Sequence, residues 1–312
     1  MPMKIFIAGG TGVLGRATIP PLVEAGHAVR STARGKEKAE LVRQMGAEAV
    51  EIDLYDAKAI RQAIAGSDAL IRLTTKIGSL TKMGSAKAWE ETNRLRTTGA
   101  HILVDAAIEE NLKVYVHESV TFVYPDGGTQ WLTEEAPTED KGSIIMRAAL
   151  EGEWEAARFT QSGGRGIVLR FAGFYGTEAP STGEMIKMAR RELLFQIGEA
   201  ANYFSSIYVP DAGRAVAAAL SVAAGTYNVC DDNPVLFSEY LRRLAEAVGA
   251  RKPRRLPRFL GKWVFGDLWK YLSLSQRISN VRLKQLSGWK PAVKSVAEGW
   301  PRVAGQLASM NL

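Results

Sequence analysis

The sequence predicts an α/β fold, a doubly wound parallel sheet with a smaller C-terminal α+β domain. Three observations predict it. Short apolar, β-rich runs alternate with helical patterns through most of the chain, the signature of a parallel sheet covered on both faces. The first of these runs passes directly into a glycine-rich loop and then a helix. After Phe171 the rhythm changes to loops containing Gly, Pro and Ser around Thr177 to Gly183, followed by separate helices.

The expected strands are Lys4 to Ala8, His27 to Thr32, Ala49 to Ile52, Ala69 to Leu73, Val114 to His117 and Ile167 to Phe171, with Tyr227 to Val229 returning later to the same sheet. Helices are expected near Ala86 to Glu110, with Ile102, Leu103 and Ala106 on a core-facing stripe, and near Ser143 to Gln161. A further helix, Ser238 to Val248, carries Leu241, Leu244, Ala245 and Val248 at helical spacing before Gly249 ends it. Pro20 and Pro21 fall inside the first helix and are expected to kink it, because each removes a backbone donor.

Composition bounds the remaining classes. With 46% hydrophobic and 23% charged residues in a 312-residue chain, disorder is not the reading, and one large domain plus a smaller one fits the length. The apolar runs fall well short of the ~20 residues that span a bilayer. A lone Cys230 excludes an internal disulfide framework, and His27, His101 and His117 lack metal-ligand spacing. The expectation is a cytoplasmic protein without a metal or a membrane span. The net charge of +7 is concentrated between Arg251 and Lys290, where eleven basic residues face only Asp267. The rest of the chain is net acidic, so general basicity for nucleic acid is not supported.

The segment Lys4-Ile-Phe-Ile-Ala-Gly-Gly-Thr-Gly-Val-Leu-Gly15 has the order that a pyrophosphate site requires. Glycine lets the backbone turn tightly and approach the ligand, and the helix N-terminus presents free N–H groups and a partial positive charge. Gly9, Thr11, Gly12, Val13, Leu14 and Gly15 are therefore candidate cofactor residues. At the end of the second strand a carboxylate would bind a ribose 2′-hydroxyl, whereas this chain has Arg34 and no acid before Glu37. A guanidinium there pairs with a 2′-phosphate, with Arg16 as a helper, which favours NADP over NAD.

Taken together with Asp53-Leu54, Asp68-Ala-Leu-Ile-Arg-Leu-Thr-Thr75, Asn93, Val114-Tyr-Val-His-Glu-Ser119, Val168-Leu-Arg-Phe-Ala-Gly-Phe-Tyr-Gly176, Tyr227-Asn-Val229 and Leu286-Ser-Gly-Trp-Lys-Pro291, the loop resembles the extended short-chain dehydrogenase/reductase superfamily, which contains NAD(P)-dependent epimerases, dehydratases and reductases. The resemblance covers most of the chain. It implies a Rossmann-type dinucleotide-binding domain over residues 1–176, a returning segment near 204–232, and a smaller substrate-binding domain from 177–203 and 233–312. It further implies that Asp53 and Leu54 border the adenine, that Leu73, Thr74 and Thr75 border the ribose and pyrophosphate, that Asn93 belongs to the cofactor site, and that Phe171 and Ala172 lie on the nicotinamide side. Core packing is an equally good reading for Leu54 or Leu73 taken singly.

The family's usual chemistry uses a Tyr and a Lys four residues apart on the helix before the sixth strand, with a Ser or Thr at the end of the fifth. Between Pro125 and Phe174 this chain has no tyrosine, and its only lysine is Lys141. If Glu153 matches the family's helix glutamate, the two places hold Ile145 and Ala149; if Glu151 does, they hold Ser143 and Arg147. Substitutes are sought at the end of the fifth strand: Ser119, Thr121 and Tyr124 are the candidate catalytic residues, with His117 and Glu118 as further titratable groups and Tyr175 as another phenol. Structural roles compete for each of them.

The run Arg251 to Arg258, followed by Phe259, Trp263, Phe265, Trp269 and Tyr271, admits three readings: a solvated rim over a packed aromatic segment, a cationic lip for an anionic substrate, or a surface for a membrane or partner. The function expected is that of an NADP-dependent oxidoreductase acting on a small organic carbonyl or alcohol with a non-standard proton donor. A dinucleotide-binding sensor or scaffold, and a non-redox enzyme in the same crevice, remain alternatives. The expected partner is a small-molecule substrate, and a homodimer stays open.

Overall fold

A computed structural model of the chain describes residues 1–76, 86–197, 201–261, 263, 269 and 273–309. Its centre is a seven-stranded parallel sheet. The strands are β1 (Lys4–Ala8), β2 (Ala28–Thr32), β3 (Glu48–Val50), β4 (Ala69–Arg72), β5 (Val114–Val120), β6 (Arg165–Phe171) and β7 (Gly225–Val229). They lie side by side in the order β3-β2-β1-β4-β5-β6-β7. The order reverses direction between β1 and β4, which opens a crevice there beyond the carboxyl ends of the strands.

The strands read as continuous apolar runs because both faces are covered. On one face Ile5, Ile7, Ile71, Val116 and Leu169 pack with Leu14, Ile19 and Leu22 of α1 (Val13–Glu24) and with Ala212, Ala215 and Val216 of the helix Val209–Ala219. On the other, Phe6, Ala8, Leu70, Tyr115 and Val168 meet Ile60 and Ile64 of α3 (Ala57–Ile64) and residues of two later helices. The first of these, α4, runs through Glu90–Arg94, Leu95–Gly99 and Ala100–Glu109, the middle stretch being wound as π-helix. The second is α5 (Ile144–Gln161), capped by the Ser143 hydroxyl accepting from the Ile145 amide at 3.2 Å. Between α1 and α3, α2 (Lys36–Gln44) covers the β2 to β3 crossover.

With Pro20 and Pro21 inside it, α1 runs as one uninterrupted helix from Val13 to Glu24. Pro21 cannot donate to the Ala17 carbonyl. Gly213 of the helix Val209–Ala219 lies over that carbonyl, so closely that any Cβ at Gly213 would clash with it. The proline pair thus sits at a close crossing of two helices, where a glycine admits the approach.

The C-terminal elements form a third core, with Tyr175, Ile186, Tyr208, Tyr240, Leu244 and Trp300 at its centre. They include α6 (Pro180–Arg190), α7 (the helix Val209–Ala219), α8 (Phe237–Ala247), α9 (Val281–Ser287) and α10 (Val296–Ser309). Instead of a second sheet there are four two-stranded pairs, such as Gly173–Tyr175 with Ser206–Tyr208. The wholly buried carboxylate of Asp211 accepts from the amides of Ala292 and Val293, both at 3.0 Å, and its carbonyl accepts from the Trp289 indole at 3.2 Å. This explains why the Gly288-Trp289 turn after α9, with Gly288 in the left-handed region, packs against α7.

Candidate active site

The loop between β1 and α1 is built as a cradle. Gly9 has φ +102°, a conformation suited to glycine, and its amide donates to Thr32 Oγ1 at 2.9 Å. The Gly12 amide donates to the Gly9 carbonyl at 3.1 Å, and Gly12 starts α1 with no side-chain cap. The first-turn amides of α1 are therefore left without a side-chain acceptor. A Cβ at Gly15 would clash with the Gly9 carbonyl and the Gly10 backbone, and one at Gly10 would clash with Ser31 Oγ. Helix, loop and strand meet through bare backbone, which suits the close approach of a pyrophosphate. Thr11 and Val13 are half-buried at the mouth and Leu14 is buried beneath it.

At the end of β2, Arg34 is exposed and has no ion-pair partner among the described residues. The Gly35 amide donates to Glu51 Oε1 at 3.0 Å, a carboxylate that becomes adjacent only through the pairing of β2 with β3. Arg16 is not a helper of Arg34: its guanidinium donates to the Glu178 carbonyl at 3.0 Å, on the side of the C-terminal elements. Asp53 accepts from the Tyr55 amide at 3.0 Å, and Leu54 is partly buried against the second core. Leu73 continues the β4 ladder by donating to the Ala8 carbonyl at 2.8 Å. Thr75 is half-buried, whereas Thr74 Oγ1 and Asn93 Oδ1 are buried without a hydrogen-bond partner among the described residues. Such orphaned groups beside a bare-backbone cradle fit a polar ligand lying along the crevice.

Beyond the carboxyl ends of β5 and β6 lies a network of charges and hydroxyls. Ser119 donates to Glu153 Oε1 at 2.6 Å. Arg170 grips the same carboxylate through Nε at 2.9 Å and a terminal nitrogen at 2.6 Å, and its other terminal nitrogen donates to the Tyr124 hydroxyl at 2.8 Å. Tyr124 donates in turn to Asn228 Oδ1 at 2.8 Å. Burial pushes the Tyr124 phenol up to about 12, despite the adjacent guanidinium. Thr121 is buried at the start of the short helical turn Thr121–Val123.

Lys141 approaches Tyr124, but its ammonium donates to the backbone carbonyl, at 2.6 Å, and not to the phenol. Ile145 and Ala149 pack with Val120, Phe122, Val123 and Met146, so an apolar cluster fills the part of α5 where the family places its Tyr and Lys in the Glu153 register. Glu153 faces the network, while Glu151 is exposed.

The other phenol and the two titratable groups have different surroundings. Tyr175 does not face the crevice; it is wholly buried between Tyr208 and Trp300, and burial drives its pKa up. His117 is wholly buried, 3.1 Å from the Tyr115 hydroxyl, and burial followed by the fields of Arg72 and Arg96 holds it far below the ordinary imidazole range. Glu118 lies between those two arginines, 3.6 Å from each. The pairing of Arg72 and Arg96 with Glu118 was not legible: a charge inside a strand run or a helix gives no sign of partners that are distant in sequence. Phe171 belongs to the core under the sheet, edge-on to Phe174 at 5.4 Å, and the Ala172 amide is held by the Val229 carbonyl at 3.0 Å.

In the basic segment Arg251 and Arg254 pair with Glu192 at 3.3 and 3.5 Å, Phe259 and Trp263 are exposed, and Trp269 stacks against Gly261. Phe265 and Tyr271 lie outside the described residues. Among the described residues no helix is long and apolar enough to cross a membrane.

Residues 5–230 match the model of the NAD dependent epimerase/dehydratase family, and the chain belongs to that family. Among curated relatives it is 30% identical over 312 residues to the 3-diazoavenalumate denitrifying reductase of a Streptomyces species, covering 96% of this chain and 100% of that protein. It is 24% identical to the 2-alkyl-3-oxoalkanoate reductase of Stenotrophomonas maltophilia, covering 87% of this chain and 85% of the relative. The fold is shared with human epimerase family protein SDR39U1 (isoform 2) solved with NADPH, at 20% identity and a TM-score of 0.81 over 98% of this chain and 100% of that one. It is also shared with the UDP-glucose 4-epimerase of Thermotoga maritima solved with UDP-glucose, at 19% identity and a TM-score of 0.81 over 99% and 100%.

Proposed function

We propose that this protein is an NADPH-dependent reductase of the extended short-chain type that acts on a small organic acceptor. The reduced nicotinamide, when bound, supplies a hydride. The observation that carries the reading is the combination of an intact cradle with an apolar wall of Ile145 and Ala149 where the phenol and ammonium would stand. An acceptor that needs no phenolic proton suits such a wall. The denitrifying reductase that resembles this chain along its whole length supports a diazo compound as that acceptor. For an arenediazonium ion the balance is direct: hydride forms the C–H bond as the C–N bond breaks, N2 leaves with that bond's electron pair, and no proton is required.

The chain's own residues then bind and orient. Arg34 takes the 2′-phosphate, and the amides of Gly12 to Gly15 take the pyrophosphate. Asp53, Leu54 and Leu73 to Thr75 border the adenosine and ribose. The segments 177–203 and 233–312 enclose the substrate, with the Arg251 to Arg258 stretch admitting an anionic one. Ser119, fixed by Glu153, orients the acceptor, with Thr121 beside it. Tyr124, whose hydroxyl is committed to Arg170 and Asn228, acts as a positioning residue.

A second reading, reduction of a carbonyl, draws on the Ser119 hydroxyl, which can turn from Glu153 to hydrogen-bond a developing alkoxide while water supplies the proton. Both are tested by following the loss of reduced-nicotinamide absorbance with a panel of arenediazonium salts, aldehydes and ketones, with N2 release measured by mass spectrometry. The expected result is enzyme-dependent NADPH oxidation with stoichiometric N2. Oxidation by carbonyls alone selects the second reading, and NADPH binding with no oxidation by any acceptor overturns both.

A further inference from the structure

Around the ends of β4 and β5 six buried polar atoms have no hydrogen-bond partner among the described residues: Arg72 Nε, Thr74 Oγ1, Asn93 Oδ1, Arg96 Nε, His117 Nε2 and Glu118 Oε2. Leaving such groups unpaired in a dry interior is costly, so a cluster of them at one place calls for a partner. Arg72 is wholly buried and bends over the sheet edge, donating to the carbonyls of Glu118 at 3.3 Å and Thr74 at 2.8 Å. Arg96 reaches the same place from the π-wound stretch of α4. Its guanidinium and that of Arg72 stand 3.6 Å from the single carboxylate of Glu118, beyond good hydrogen-bond range. Two guanidiniums against one carboxylate leave one uncompensated positive charge under the crevice floor. His117, buried and neutral beside them, adds none.

The sheet order fixes which part of a dinucleotide lies above that charge. The adenosine end belongs over β2 and β3, where Arg34 stands, and the pyrophosphate over the β1 loop. The nicotinamide half then extends over β4 and β5. On α5, where the family's lysine would supply a cation to that half, Ala149 is apolar and buried.

We propose that Arg72 and Arg96, approaching from β4 and α4, supply the fixed positive charge beneath the nicotinamide ribose, with the unpaired Thr74 and Asn93 side chains as that ribose's hydrogen-bonding partners. The charge is displaced from the helix that normally carries it to the floor of the crevice. Because Arg72 is held by the carbonyls of Glu118 and Thr74, and Arg96 faces the Glu118 carboxylate, the two act as positioning residues for the cofactor.

This inference rests on the dinucleotide reading, and the two fail differently when the cofactor is tested in halves. Calorimetric titration of the wild type and of Arg96→Met with NADPH, nicotinamide mononucleotide and 2′,5′-ADP separates them. Arg96→Met should weaken NADPH roughly tenfold and abolish measurable mononucleotide binding while leaving 2′,5′-ADP within about twofold, and Arg96→Lys should restore most of the loss. Equal weakening of both halves, or of neither, overturns the inference. Failure of the wild type to bind 2′,5′-ADP and NADPH overturns the dinucleotide reading instead. Should Arg96→Met not fold, Thr74→Val keeps the shape and removes only the hydroxyl. A severalfold weaker mononucleotide with unchanged 2′,5′-ADP supports the site, and unchanged mononucleotide binding with a raised melting temperature overturns it.

Discussion

Asp231 shows how much a single buried side chain decides. One of its oxygens accepts from Ser206 at 3.0 Å and the other has no partner. Burial, then the nearby charges of Asp232 and Glu298, raises its carboxyl well above the usual carboxylate range, against the opposing pull of the Ser206 hydrogen bond and the nearby Asn233 amide. Between the unfolded value of about 4 and that raised value, the folded chain keeps a proton that the unfolded chain releases. Stability is therefore fullest at the acidic end of this window and falls as the pH rises through it. Asp231→Asn should flatten that slope, so that melting temperatures compared at about pH 5 and about pH 8 differ by less in the variant. Parallel profiles would mean the carboxyl is already ionised in the fold. Backbone geometry was legible where it dictates the residue type, as at Gly9 and Gly15, which leave no room for a Cβ. The surroundings of Asp231, Arg72 and Arg96 were not, because they come from segments far apart in the chain.

Helices make the same point through packing. Gly213 has the Ala17 carbonyl against it, whereas Gly183, inside α6, has nothing within 4 Å of where a Cβ would stand. Gly213→Ala must push α7 from α1 and should cost about 1–3 kcal/mol, with α1 carrying the glycine cradle along. Gly183→Ala should gain up to about 1 kcal/mol from helix propensity alone. Chemical denaturation of the two variants reads both signs, and equal effects would refute the contrast. The strands were readable as elements because burial on both faces gives most of them an apolar stretch, such as Ile5 to Ala8 of β1, Ala69 to Ile71 of β4 and Ile167 to Leu169 of β6. The π-wound stretch Leu95–Gly99 and the four short strand pairs were not, since each depends on a partner segment and has no period of its own. The crossing of Gly213 over the proline pair of α1 was hidden in the same way, since the local sequence does not name that neighbour.

For the whole molecule, charge and cofactor choice are separate matters. The basic stretch near Arg251 lies with the C-terminal elements, whereas Arg34 ends β2 and has no competing ion pair. Saturating NADPH at about a hundred times its Kd should stabilise the fold by about 2.7 kcal/mol, seen as a rise of several degrees in melting temperature. Arg34→Ala should weaken NADPH about tenfold and so remove about 1.4 kcal/mol of that gain, while leaving the response to NADH unchanged. Should NADH protect better than NADPH and ignore the substitution, the preference is reversed, and Glu51 at the Gly35 amide becomes the group that selects it.

The outermost strand, β7, reaches the sheet only after the chain has built α6 and α7, and Asn228 on it accepts from the Tyr124 hydroxyl, which in turn accepts from Arg170. During synthesis on the ribosome β6 must therefore wait with one edge open, and Tyr124 without its acceptor, until more than fifty further residues have emerged. A chain stalled in that interval presents an unpaired, apolar strand edge, the most adhesive surface this protein ever exposes. The seam that ties the late strand to the crevice makes the emergence of residues 172–229 a checkpoint for everything before it.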